Sequence, residues 1–215
     1  MNFFSRSIAG LTLLTALLGG SVGAVTFGGL NVRPLGAQNL NLQTGVTEMP
    51  QGGTVTDQKG GLTLTAARLQ VKPDELLQAQ GATIKTKFGG TLTAQQVRYD
   101  LKAGLVTATG NISYSDARVK NMTAANMTLY VKSGFVVAQG NVKASSPALS
   151  AAGLVFDPNT MQAVLSGPYD LITRLGGMKG QAGGRVLLTF AGNALTGASA
   201  RPAPGDLARF SPYLK

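Results

Sequence analysis

The stretch Thr91-Leu92-Thr93-Ala94-Gln95-Gln96-Val97-Arg98-Tyr99-Asp100-Leu101-Lys102-Ala103-Gly104-Leu105-Val106-Thr107-Ala108-Thr109-Gly110-Asn111-Ile112 is restated 30 positions further along the chain. Thr93-Ala94 returns as Thr123-Ala124, Gly104 as Gly134, Val106 as Val136, Ala108 as Ala138 and Gly110-Asn111 as Gly140-Asn141. Val97, Tyr99 and Leu101 are answered without a gap by Met127, Leu129 and Val131. A fixed period of this kind marks stacked supersecondary units.

One unit reads as a strand, a tight turn and a second strand. In the first strand Val97, Tyr99 and Leu101 alternate with Gln96, Arg98 and Asp100, the two-residue period of a half-buried strand. Lys102-Ala103-Gly104 and Lys132-Ser133-Gly134 put Gly where a three-residue hairpin needs positive φ. The second strand carries Val106, Ala108, Gly110 and Ile112, repeated as Val136, Ala138, Gly140 and Val142. Aligned on the Thr/Ser-Ala start and the closing glycine, four copies emerge: 65–83, 93–112, 123–142 and 150–169. In the outer copies Lys72-Pro73-Asp74-Glu75 and Asp157-Pro158-Asn159-Thr160 make the turn, with Pro suited to a type I geometry.

A break in parity recurs in each copy. Leu92 and Ala94 are even-numbered while Val97, Tyr99 and Leu101 are odd, so a flat strand would put the two apolar sets on opposite faces. The same switch separates Leu64 and Ala66 from Leu69 and Val71, Met122 and Ala124 from Met127 and Leu129, and Leu149 and Ala151 from Leu154 and Phe156. A bulge or corner just after each Thr/Ser-Ala is expected, re-aiming the apolar side chains to one interior. The closing glycines belong to that bend and are not read as a site.

Composition agrees with an all-β chain and limits its chemistry. The 215 residues suffice for one sizeable all-β core, and 29 Gly with only 13% charged residues favour strands and turns over helices. With no Cys and no His, thiol nucleophiles, disulfides and the commonest general base and metal ligands are excluded. Only nine Asp and Glu are present, and the one close pair, Asp74-Glu75, sits in a turn. No catalytic residue, metal site or cofactor is therefore assigned, and the chain is not read as an enzyme. The net charge of +10 suits an anionic partner, but the aromatic and basic interleaving that single-stranded nucleic acid needs is absent, so nucleic acid is not among the expected partners.

The ends read differently from the middle. Residues 1–24 have the form of a cleaved secretory signal, with Arg6, an apolar run from Ile8 to Leu18 and a small-residue site at Val22-Gly23-Ala24, the alternative being an uncleaved N-terminal anchor, for which the apolar run is short. Export places the mature protein in the periplasm of a bacterial envelope, as a single β domain over 25–198. From Val25 to Gly61 a partial, atypical first unit is expected, with a turn at Pro50-Gln51-Gly52-Gly53. Gly176 to Gly184 reads as a flexible glycine-rich connection without the Walker pattern, and Arg185 to Phe190 as a last apolar strand. The tail 199–215, with Pro202, Pro204 and Pro212, reads as an exposed or partner-docking end.

The repeat resembles that of the lipopolysaccharide-transport periplasmic bridge family, LptA-like or OstA-like, also called organic-solvent-tolerance-like. The residues that carry the resemblance are Ala94, Tyr99-Asp100, Gly104 and Ala108-Thr109-Gly110-Asn111-Ile112, then Ala124, Gly134 and Ala138-Gln139-Gly140-Asn141-Val142. It spans roughly Leu40 to Leu195. The fourth copy departs with Gly167-Pro168-Tyr169, and the first with Gly81-Ala82-Thr83. The resemblance implies an elongated, folded-over β-jellyroll enclosing a hydrophobic groove. It also implies that the groove holds acyl chains of lipopolysaccharide or another anionic envelope lipid. It further implies end-to-end strand pairing with envelope transport proteins of the same fold, or with further copies as a homo-oligomer, in outer-membrane biogenesis.

The groove candidates are Val97, Tyr99, Leu101, Val106, Ile112, Met127, Leu129, Val131, Val136, Val142, Leu154 and Phe156, whose rows either close on themselves as a core or part to admit lipid. Headgroup candidates on a basic edge are Lys85, Lys87, Arg98, Lys102, Lys120, Lys132 and Lys143, which otherwise serve as solubilising residues at turns and edges. Lys102 and Lys132 occupy the same turn position, so stacked hairpins would align them. A second reading is a structural or adhesive envelope protein whose basic edge binds acidic polysaccharide.

Overall fold

The computed structural model describes residues 25–27, 29–57, 61–87, 89–174 and 176–214; the secretory signal expected over 1–24 lies outside the described residues. Among the described residues, 17 strands form one antiparallel sheet. The chain is an all-β, folded-over jellyroll of stacked hairpins. Each hairpin arm bends at its middle, and the bends line up so that the sheet folds into two limbs.

Six arms bend without losing their strand: β6 (Leu62–Lys72), β7 (Leu76–Thr86), β8 (Thr91–Asp100), β12 (Val136–Ser145), β13 (Ala148–Asp157) and β14 (Gln162–Thr173). In other arms the corner divides the strand. These are β2 (Leu30–Pro34) with β3 (Asn39–Asn41), β4 (Val46–Met49) with β5 (Gly53–Asp57), β9 (Leu105–Thr109) with β10 (Ser113–Ser115), and β15 (Gly176–Gly180) with β16 (Arg185–Ala191). Single bridges at Lys120, Met122 and Thr123 lead into β11 (Asn126–Tyr130) in the same way. β1 (Val25–Phe27) adds to β2, and β17 (Ala194–Ser199) adds to β16. The first limb runs from β1 through β2, β5 and β10 to β15, and the second from β3 through β4, β9 and β11 to β16 and β17, each completed by its half of the bent strands.

The corners lie where the parity break places them. Ala66 faces Ala82 and Arg68 faces Gln80, leaving Ala67 and Gly81 at the bend. In the next copies one residue opposes two: Gln95 against Gly110-Asn111 and Ala125 against Gly140-Asn141. Ala152 opposes Gly140-Asn141 on one side and Gly167-Pro168 on the other. A single extra residue flips the face of the strand, which is why Leu64 and Leu69 both point inward. The two-residue Gly-Asn insert bends its strand without flipping it, so Val106, Ala108 and Ile112 are all buried. Both residues of the insert are left-handed, at φ 73° and 47° for Gly110-Asn111 and 76° and 52° for Gly140-Asn141. Only Gly, and among side chains chiefly Asn, takes that conformation readily. Gly167-Pro168 fills the same two places in the fourth copy, and the lone Gly81 explains why the first copy flips on both arms.

Because both limbs turn their apolar faces to one interior, their buried residues form a single cluster, from Leu30, Val32 and Leu64 in the first limb to Leu69, Leu165 and Leu188 in the second.

Three expectations are corrected. The turn Lys72–Glu75 closes with the Glu75 amide donating to the Lys72 carbonyl at 3.2 Å, but Asp74 has φ 59°, which belongs to type II and not type I. Gly176–Gly180 is no loose connection but strand β15, paired to β14 from Thr173–Gly176 to Tyr169–Gly180. Its bare backbone is what fits, since a Cβ on Gly180 would lie 2.2 Å from Tyr169 Cε1. The tail, expected as an exposed or partner-docking end, docks on its own chain through a few side chains while most of its residues stay exposed. Helix α1 (Pro204–Leu207) and the 3₁₀ turn Ala208–Phe210 lie on the outer face of the second limb, where Phe210, 0% exposed, packs with Phe135, Val137, Val155, Val164 and Leu187. Tyr213 stacks on Phe135 at 4.4 Å and meets Tyr130 edge-on at 4.7 Å.

Candidate functional site

The interior between the limbs holds every groove candidate. Val97, Val106, Ile112, Met127, Val142 and Leu154 are buried in it, and Tyr99, Leu101, Leu129, Val131, Val136 and Phe156 are half-buried against it. β8, β9, β11, β12 and β13, with Leu101, Ile112 and Val131 just beyond strand ends, deliver these side chains at alternate positions, stacked copy on copy through cross-strand pairs such as Met127–Ala108 and Leu129–Val106. Opposite the corners, the rims of the two limbs meet along a seam.

Among the described residues, two sets of contacts tie that seam. Near the first copies, the Tyr99 hydroxyl of the second limb donates to Asp57 Oδ2 at the rim of the first, at 3.3 Å. Burial and the Asp57 carboxylate push the Tyr99 pKa up from 10.0 to about 12. Further along, the loop Asp116–Val119 reaches across from the first limb. The Arg118 guanidinium lies over the Phe156 ring, 4.7 Å from its centre, and its NH1 points at Met161 Sδ at 3.4 Å.

Asp116 anchors this loop. It accepts from the backbone amides of Arg118 and Val119 at 2.7 and 2.8 Å, from the Tyr114 hydroxyl at 3.1 Å and from Arg118 Nε at 2.9 Å, and it also pairs with Arg118 NH2. Burial works against its charge, but the guanidinium and the two amides outweigh that and hold its pKa below the ordinary carboxylate value. Burial, then the Asp116 charge, pushes the Tyr114 pKa well up. Beneath the loop lies an apolar pocket lined by Met122, Val136, Pro147, Leu149, Leu154, Phe156, Ala163, Leu188 and Phe190. Its free space is only about 40 Å³, room for a few waters and far short of an acyl chain. At this mouth the limbs are closed on each other as the chain stands.

The basic candidates do not share one edge. Lys102 and Lys132 do align on the rim of the second limb: the Val131 amide donates to the Gly104 carbonyl at 2.9 Å, and a Cβ on Gly104 would lie 3.6 Å from Lys132 Cγ. Lys102 leans to the neighbouring turn and pairs with Glu75 at 3.3 Å, and with Lys72 it holds the Glu75 pKa down. Arg98 is exposed on the second limb, whereas Lys85, Lys87, Lys120 and Lys143 belong to the first.

Sequence reasoning missed Asp57, Tyr114, Asp116, Arg118 and Met161. The signal present, Asp-Ala-Arg between two repeats, carries no periodicity and looks like any polar turn. At the N-terminal end β3 is an exposed edge that carries Leu40 and is flanked by Leu35 and Leu42, the last 87% exposed. Among the described residues no helix is long and apolar enough to cross a membrane, and no three metal-ligating side chains come together.

No family model matches the chain, and no curated protein matches it in sequence. Among solved structures, LptH, the LptA-homologous periplasmic component of the conserved lipopolysaccharide transport device from Pseudomonas aeruginosa, aligns with 80% of this chain and 95% of its own. The TM-score is 0.37 and the identity 12%.

Proposed function

We propose that the chain is a non-enzymatic periplasmic lipid carrier, taking lipopolysaccharide or a similar anionic amphiphile between its two limbs towards the outer membrane. The observation that carries this reading is the seam. Among the described residues, an interior lined on both sides by aliphatic rows is bridged along one side by contacts that include a hydrogen bond, a ring contact and a thioether contact, with no strand pairing across it. Parting the limbs there leaves every backbone ladder intact, and acyl carbons replace the apolar contacts that are lost.

Magnitudes assign the roles. Each buried methylene is worth about 0.8 kcal/mol, so a half-buried acyl chain contributes roughly 5 kcal/mol. A surface Lys or Arg near anionic headgroups adds about 1 kcal/mol and is screened by salt. The groove rows therefore set affinity, and the cations set capture and orientation. The exposed edges at β3 and β17 suit end-to-end pairing with a similar fold or a second copy.

The test is displacement of an apolar fluorescent probe by lipopolysaccharide, measured on the wild type and on Leu129→Asp and Val136→Asp. Loss of binding by folded variants is the expected result; normal binding by them refutes the groove. The polysaccharide-binding alternative expects salt-sensitive polyanion binding and no response of the probe.

A further inference from the structure

The seam beside Arg118 differs from the rest because it sets a cation over an apolar pocket and gives that cation two unequal sets of partners. On its own loop the guanidinium is held by the buried Asp116, which keeps the two backbone amides and the Tyr114 hydroxyl besides. Across the seam it meets the Phe156 ring and the Met161 thioether, and a thioether is a weak acceptor. Lys120 brings a second cation to the same loop, its Nζ donating to the Asp116 carbonyl at 2.6 Å. The loop therefore carries two cations to one carboxylate.

Resting on the lipid-carrier reading, we infer that this mouth is the port for an amphiphile with a single anionic head, and that Arg118 is its headgroup-binding residue. The acyl chain takes the place of the contact between the rims and runs in among Met122, Val136, Leu154 and Leu188. The oxyanion of a carboxylate or phosphate takes the NH1 side of Arg118, with Lys120 beside it. The exchange favours the ligand because a charged oxygen replaces a thioether, which is a weak acceptor, and carboxylate and phosphate take short, strong hydrogen bonds from a guanidinium. Asp116 stays in place throughout, since its anchors all lie within residues 114–119 of the first limb. Opening the port breaks the weak contacts across the seam and spares the strong ones on the loop.

The test uses the full chain with a fluorescent long-chain fatty acid and the alcohol of the same chain. The wild type is expected to prefer the acid by roughly tenfold. Arg118→Gln is expected to bring the ratio of acid to alcohol affinity down to about one, and Arg118→Lys to keep part of the preference. Equal binding of acid and alcohol by the wild type, or an undiminished preference in Arg118→Gln, overturns the port while leaving the carrier reading standing. A wild type that binds neither overturns both. A second measurement does not depend on the charge. The chain has no Cys, so Arg118→Cys with Met161→Cys can be bridged by a short bis-maleimide. Bridging is expected to stop uptake of the alcohol, and unchanged uptake overturns the port.

Discussion

The Tyr99 hydroxyl donates to Asp57 Oδ2 at 3.3 Å, joining a strand of the second limb to the rim of the first across 42 residues of sequence. This bond makes closure of the limbs sensitive to alkali. The Tyr99 pKa is raised from 10.0 to about 12, so the folded state favours the neutral phenol. Its contribution is fully present below the unfolded value of about 10 and is lost as pH rises through 12. Tyr114 shifts the same way. Tyr99→Phe is expected to cost about 1 kcal/mol at neutral pH and to flatten the alkaline fall of denaturation midpoint with pH. An alkaline limb identical to the wild type removes the tie.

Acid acts on the other tie with the opposite sign. Asp116 has its pKa depressed from 3.8, so its contribution is present above that value and is lost as pH falls through the lower folded value. Asp116→Asn is expected to lower stability at neutral pH and to abolish this part of the acid limb, measured by urea midpoints across the acid range.

The corner glycines separate backbone strain from crowding. Gly183 has φ 79° with nothing near its missing Cβ, whereas Gly140 has φ 76° and a Cβ there would lie 2.7 Å from that of Ala125. Gly183→Ala is expected to cost about 1–2 kcal/mol from the left-handed backbone alone. Gly140→Ala should cost clearly more, because the two corner arms must also separate. Equal losses in chemical denaturation contradict the close approach.

Phe210 is fully buried against the outer face of the second limb. Phe210→Ala is expected to cost about 3–5 kcal/mol, read as a lower melting temperature. Uptake of the apolar probe should persist at temperatures where the variant is folded, because this face is turned away from the interior.

Much of this architecture was legible because it is repetitive. The period fixed the hairpins, and the parity switch at Ala66, Ala94, Ala124 and Ala151 located the corners, since a slip of one residue has only one way to return apolar side chains to one interior. What stayed hidden lacks a period. The Tyr99–Asp57 and Arg118–Phe156 contacts join distant units, and nothing local marks them. The strand at Gly176–Gly180 has almost no side chains to alternate. The docking of the tail had a signal that alternation obscured: Leu154-Val155-Phe156, Ala163-Val164-Leu165 and Val186-Leu187-Leu188 are unbroken apolar triplets, which need cover on both faces.

The central claim, that lipid occupies the space between the limbs, is tested most directly by mass spectrometry of an organic extract of the protein purified from its native source, beside Val136→Asp prepared in the same way. The account expects an anionic amphiphile at near-stoichiometric amount in the native extract and its loss from a folded Val136→Asp. A native extract free of lipid, or one whose lipid is undiminished by the substitution, contradicts it.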